Sequence, residues 1–205
     1  MTNTLAYLLD GKIYINLTNK CTNACIFCLR QDRDDVCGKN MWLDNEDFSA
    51  QDVIEQINEL PLSPEITFCG YGEPMLKLDI LKDVAKYLKN KYPEIKIRVN
   101  TNGHANYVFK RNVVPELKGL VDTFSVSLNG ATEEEYNELS QPNFDGAYDE
   151  VKKFIKASAD EGIHTVATVV EGYKGNHMDL EKCKEIANNL GADFRAREWI
   201  ENGYS

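Results

Sequence analysis

Three cysteines lie within eight residues, in the run Lys20-Cys21-Thr22-Asn23-Ala24-Cys25-Ile26-Phe27-Cys28, with the spacing C-x3-C-x2-C. Three thiolates on one tight loop can hold three corners of an iron–sulfur cubane, leaving the fourth iron without a ligand from the chain and open to another molecule. Closed zinc and iron–sulfur sites normally use four ligands. Zinc is the rival reading, with Cys37 as the fourth thiolate across a loop-like gap from Cys28. The bland alternative is three buried thiols that cluster by chance.

The elements that must carry this loop alternate between strand and helix patterns. Lys12–Thr18 reads as a strand and the cysteines follow it at once. Asp47–Leu60 is apolar at helical spacing, through Phe48, Val53, Ile54, Ile57 and Leu60. Glu65–Cys69 is a second strand ending in Gly70-Tyr71-Gly72-Glu73-Pro74, and Leu78–Lys91 a second helix. Ile95–Asn100 is a third strand stopped by Thr101-Asn102-Gly103, and Tyr107–Leu117 is partly helical. Val121–Leu128 is a fourth strand stopped by Asn129-Gly130. Thr132 caps a short acidic helix, with Glu135 completing a capping box. A helix over about Asp145–Glu161, a strand His164–Val170, a helix Met178–Leu190 and a strand Phe194–Trp199 complete the series. Strands separated by helices imply parallel pairing through right-handed crossovers. Six such units fall short of a closed eightfold barrel. The expectation is therefore an open partial (β/α)6 barrel, α/β in class, with residues 1–205 forming one domain. In parallel α/β folds ligands bind at the C-terminal ends of strands. The polar and glycine-rich segments here all fall at such ends and are expected to share one rim.

Composition narrows the function classes. The chain has 205 residues, 42% hydrophobic and 27% charged, as expected of a globular chain with one ordinary core. No apolar run approaches a membrane span, and Met1–Asp10 lacks the pattern of a signal peptide, so a cytoplasmic location and no membrane partner are expected. A net charge of −10 argues against broad nucleic acid binding. Six cysteines in such a compartment are not expected to form disulfides.

The cysteine triplet directly after a first strand, with Phe27 before the last cysteine, resembles the signature of the radical SAM superfamily. Gly72-Glu73-Pro74 resembles that family's GGEP motif, with Tyr71 in place of its first glycine. Thr101-Asn102-Gly103 and Ser127-Leu128-Asn129 resemble its strand-end signatures, and the length and motifs together resemble a short group encoded alongside TatD-type hydrolases. The resemblance implies a [4Fe–4S] cluster on Cys21, Cys25 and Cys28 and S-adenosylmethionine (SAM) chelated to the open iron. Reductive cleavage of SAM then gives methionine and a 5′-deoxyadenosyl radical that abstracts hydrogen from a substrate. It further implies a Phe27 backbone contact to adenine, and Gly72, Glu73 and Pro74 around the methionine amino group. Asn100 and Ser127 would face SAM, Asn129 would reach the ribose, Val169 would offer backbone groups to adenine, and Arg197 would pair with the SAM carboxylate. The implied partners are a flavodoxin or ferredoxin as electron donor, an unknown small-molecule or protein substrate, and a functional link to a TatD-type hydrolase. Alternatives are a glycyl-radical activase of a partner protein, a zinc-binding scaffold, or an iron–sulfur electron carrier without catalysis.

Each assignment has a plain structural counterpart. Gly72-Glu73-Pro74 and Asn102-Gly103 are also ordinary turn signals. Ser127 can merely cap a loop, and Arg197 can be a solvated charge. Cys69 reads as a small buried thiol and Cys183 as core. His104, His164 and His177 form no metal pattern and carry no assignment. Glu133-Glu134-Glu135 reads as a solvated first turn favoured by the helix dipole.

Overall fold

The computed structural model describes residues 3–36 and 38–199, so Cys37 lies outside the described residues. The chain divides into two compact units. The first comprises Met1–Cys21, Leu29–Thr101 and Glu116–Thr123, the second Thr22–Cys28, Asn102–Pro115 and Phe124–Ser205.

In the first unit β1 (Ala6–Leu9) and β2 (Lys12–Ile15) form an antiparallel hairpin. Its turn residues Asp10 and Gly11 both have positive φ, 49° and 75°, which matches the twist of the flanking strands. A two-residue ladder joins β3 (Asp35–Val36) and β4 (Lys39–Asn40). Then come α1 (Ala50–Asn58), β5 (Glu65–Phe68), α2 (Leu78–Lys91) and β6 (Lys96–Thr101). The strand order is β1-β2-β5-β6, with β2, β5 and β6 parallel in the registers Ile13↔Ile66 and Ile66↔Ile97. Ile13, Ile15, Ile66, Phe68, Ile97 and Val99 lose all exposure there. Helix α2 buries the row Leu78, Leu81, Val84, Ala85 and Leu88. Ser49 starts α1 through a complete capping box with Asp52.

The second unit holds α3 (Ala105–Phe109), β7 (Thr123–Ser127), α4 (Glu133–Ser140), α5 (Ala147–Asp160), β8 (His164–Glu171), α6 (Leu180–Asn189) and β9 (Asp193–Glu198). Strand β8 lies between β7 and β9 and runs parallel to β9 from Val166↔Asp193 to Glu171↔Glu198. Phe124 and Phe154 pack edge to face at 5.2 Å in its core.

All six strands expected from the hydrophobic pattern are present, displaced by a few residues at most. Strand β1 was not foreseen; Asp10-Gly11 between short apolar runs was the available signal. The capping box expected for α4 is half formed. Thr132 accepts from the Glu135 N–H, but the Glu135 carboxylate accepts from Ala131 N at 2.7 Å. No helix among the described residues is long and apolar enough to cross a membrane.

Asp122 ties the chain to β6. Its N–H donates to Ile97 O, while its carboxylate accepts from Ile97 N at 2.8 Å and Lys89 Nζ at 2.6 Å. Partial burial raises its pKa, but these donors outweigh that effect and hold the carboxyl below its usual value. Such a group stabilises the fold above its unfolded pKa, and the contribution is lost as pH falls through the lower folded value. Asp122→Asn should therefore lower stability at pH 7, with the deficit shrinking below about pH 4; urea melts from pH 7 to pH 3 check this, and a pH-independent deficit contradicts it.

Candidate functional site

The first unit holds the loop after β5. Gly72 lies flat against the chain that leads into the cysteine loop. A Cβ added there would stand 2.2 Å from Thr18 O and 2.5 Å from Lys20 O, so only glycine permits this approach. The next residue completes the contact, with Glu73 N donating to Lys20 O at 2.8 Å. Glu73 is buried and caps the 3-10 turn Pro74–Lys77, its Oε1 accepting from Met75 N at 3.0 Å and from Thr101 Oγ1 at 2.7 Å. Pro74 opens that turn, where no N–H is needed. Arg30 Nη1 donates to Asn19 O at 3.0 Å and Tyr71 O at 3.3 Å, joining the segments that precede Cys21 and Gly72. Tyr71 is buried, meets Trp42 edge to face at 5.2 Å and donates its hydroxyl to Arg33 O at 2.6 Å. Asn100, near the end of β6, is half-buried.

The second unit holds Thr22–Cys28, which has neither helix nor strand. Ala24 N donates to Ser140 O and Gln141 O, and Ile26 N to Leu139 O. These carbonyls close α4, where the helix itself leaves acceptors over. Asn143 N returns a bond to Thr22 O, and Cys28 N donates to Cys25 O at 3.0 Å. Cys21, Cys25 and Cys28 are all half-buried thiols. Phe27, beside Cys28, meets Tyr173 edge to face at 6.1 Å.

Behind this loop lies a buried polar network. Asn102 Nδ2 donates to Thr22 Oγ1 at 2.7 Å. Thr22 Oγ1 lies 2.8 Å from His104 Nδ1, His104 Nε2 lies 2.9 Å from Tyr136 Oη, and Asn23 Nδ2 donates to Tyr136 Oη at 3.2 Å. Burial pushes the His104 imidazole down to about 4, against a smaller upward effect of a backbone hydrogen bond at Ala147. The ring is neutral at pH 7, so one nitrogen donates and the other accepts.

At the strand ends of this unit, Ser127 is half-buried and closes β7. Asn129 is buried at φ 52°, donates to Ser140 Oγ at 3.2 Å, and keeps its Oδ1 without a hydrogen-bond partner. Val169 is fully buried within β8, leaving its backbone as the group to consider, and Arg197 is half-buried on β9.

The donor chemistry fits an iron–sulfur cluster. Three soft thiolates suit iron–sulfur centres, and none of these cysteines is a disulfide partner. In the second unit the unsatisfied buried amide oxygen of Asn129 suits a polar ligand. No three His, Cys, Asp or Glu side chains among the described residues are gathered as one metal ion requires; a cubane makes a different demand, each thiolate binding its own iron.

A model of the radical SAM superfamily matches residues 15–190. The chain belongs to the radical SAM superfamily. Members of that family use a [4Fe–4S] cluster and SAM. It is 25% identical over 191 residues to an uncharacterized protein of Methanocaldococcus jannaschii, covering 91% of this chain and 56% of that one. It is 25% identical over 182 residues to a probable GTP 3′,8-cyclase of Saccharolobus islandicus, covering 87% and 53%. The chain thus spans about half the length of the curated relatives it matches. Among solved structures, Streptococcus suis SuiB bound to S-adenosylmethionine superposes with a TM-score of 0.66 at 19% identity, over 95% of this chain and 42% of that one. Native anSMEcpe with bound AdoMet gives 0.62 at 14% identity, over 94% and 52%. These likenesses establish the fold as mixed α/β with a parallel sheet, of the partial-barrel kind expected.

Several polar residues escaped the sequence reading. Arg30 in the first unit, and His104 and Tyr136 in the second, pair with residues distant in sequence, and no local spacing marks them. Cys69, expected to be buried, is partly exposed, whereas Cys183 is core beside Met178, with the sulfurs 3.9 Å apart. His164 and His177 are exposed. Gly72→Ala should cost about 1–3 kcal/mol by overpacking against immovable carbonyls. Urea denaturation of the cofactor-free chain measures it, and an unchanged midpoint contradicts the close approach.

Proposed function

We propose that this chain reductively cleaves SAM at a [4Fe–4S] cluster held by Cys21, Cys25 and Cys28, and uses the resulting radical to abstract hydrogen from a substrate. The observation that carries the reading is the three-thiolate loop, with no fourth cysteine in its spacing, inside a family match over residues 15–190. When bound, the cofactors supply one electron and a cleavable S–C5′ bond, giving methionine and a 5′-deoxyadenosyl radical.

The chain's own residues bind, orient and shield. Gly72, Glu73 and Pro74 hold the methionine amino group. Arg197 takes the SAM carboxylate through its fork of donors. Asn100 and Ser127 face SAM, and the amide of Asn129, with one atom unsatisfied, takes a ribose hydroxyl. The backbones of Phe27 and Val169 bracket adenine. The match across both compact units supports treating residues 1–205 as one radical SAM domain.

The substrate is a small molecule or a protein, since the relatives include a probable GTP cyclase and the structural neighbours include SuiB bound to a precursor peptide. A flavodoxin or ferredoxin supplies the electron in a cytoplasmic setting, where thiolates stay reduced. Membership of the short TatD-associated group, and a functional link to a TatD-type hydrolase, belong to the same proposal and rest on the combination of motifs.

Anaerobically reconstituted protein should bind about four irons with matching sulfide and, with dithionite, convert SAM to 5′-deoxyadenosine and methionine. Cys25→Ala should abolish the conversion. Full cleavage by that variant contradicts the ligand assignment. Deuterium transfer from candidate compounds into 5′-deoxyadenosine then identifies the substrate.

A further inference from the structure

We propose that His104 is a positioning residue that clamps the cysteine loop into shape before any cofactor arrives. The inference rests on the reading of Cys21, Cys25 and Cys28 as cluster ligands, and adds a residue whose ring nitrogens meet Thr22 and Tyr136.

The geometry is specific. His104 is 1% exposed, and its two ring nitrogens meet two hydroxyls, Thr22 Oγ1 at 2.8 Å and Tyr136 Oη at 2.9 Å. Thr22 follows Cys21 directly in the chain, and Tyr136 lies on α4, whose last carbonyls receive the loop amides Ala24 and Ile26. The imidazole therefore ties the start of the loop to the same helix that holds its middle. Asn102 fixes the arrangement from the other side, giving one N–H to Thr22 Oγ1 and accepting His104 N at 3.1 Å. Asn23 bonds Tyr136 as well, so consecutive residues of the loop engage the two ends of one relay. The ring's orientation is locked by Phe144, edge to face at 4.8 Å. A neutral imidazole is the side chain that can give a proton to one hydroxyl and accept from the other without burying a charge. Groups that orient metal ligands at one remove typically change metal retention by about 10–100-fold when lost.

The test uses His104→Phe, which keeps an aromatic ring and removes both bonds, Thr22→Val, the double variant, and Phe154→Leu as a core substitution outside the network. In the cluster-free chain, hydrogen exchange at the Ala24 and Ile26 amides should rise about tenfold in His104→Phe and in Thr22→Val, as expected for loss of one or two buried hydrogen bonds. The double variant should add nothing further, and Phe154→Leu should leave these amides near wild type. In the reconstituted chain, cluster loss to a chelator should quicken about tenfold in the two network variants. Unchanged exchange in His104→Phe, additive effects, or an equal response in Phe154→Leu would overturn the clamp. A wild-type chain that loads iron while His104→Phe loses it no faster overturns this inference and leaves the ligand reading intact; a wild-type chain that takes up no iron overturns both.

Discussion

The cysteine loop has no regular structure of its own and must be given a fixed shape by the residues packed around it. Ordering each backbone residue costs roughly 1–2 kcal/mol, and a hydrogen bond returns about 1 kcal/mol net. A seven-residue loop, Thr22–Cys28, therefore cannot hold itself. It borrows acceptors from the end of α4, where carbonyls would otherwise be left over, and a neutral imidazole from the start of α3. Three thiols are presented at the cost of burying a polar relay that must stay fully paired.

The first unit solves the same problem by steric exclusion rather than by a relay. Gly72 admits the carbonyls of Thr18 and Lys20 to a distance no side chain would tolerate, and Glu73 then bonds Lys20. The departure from a double-glycine turn at Tyr71 is accommodated because its ring is buried against Trp42 and its hydroxyl reaches Arg33 O. Arg30 adds a bridge between the carbonyls of Asn19 and Tyr71. Glycine, a buried carboxylate and an arginine fork each act on backbone groups, so the shape of the turn is set largely by main-chain contacts.

What could be read from sequence follows from the range of the interaction. The parallel strands were visible because Ile13, Ile66 and Ile97 sit in apolar runs whose period is local, and α2 because Leu78, Leu81, Val84, Ala85 and Leu88 repeat at helical spacing. The cysteine triplet was visible because its three members fall within eight residues. Strand β1 escaped because its run Ala6-Tyr7-Leu8-Leu9 is apolar throughout and lacks the alternation that marks a half-buried strand. His104 escaped because its partners stand 82 and 32 residues away and a single histidine carries no pattern. Glu135 pairs with Ala131 rather than with the cap residue itself, a choice decided by side-chain reach that no motif records. Asn129 and Gly72 were found through family resemblance, but the left-handed backbone of one and the close approach of the other appear only in three dimensions.

In the proposed site three thiolates leave one iron to be completed by SAM. Mössbauer spectroscopy of the 57Fe-reconstituted chain, with and without SAM, addresses it directly. About one iron in four should change its isomer shift when SAM is added. Four irons that stay equivalent and unmoved, or a zinc-loaded chain with no sulfide, would contradict it.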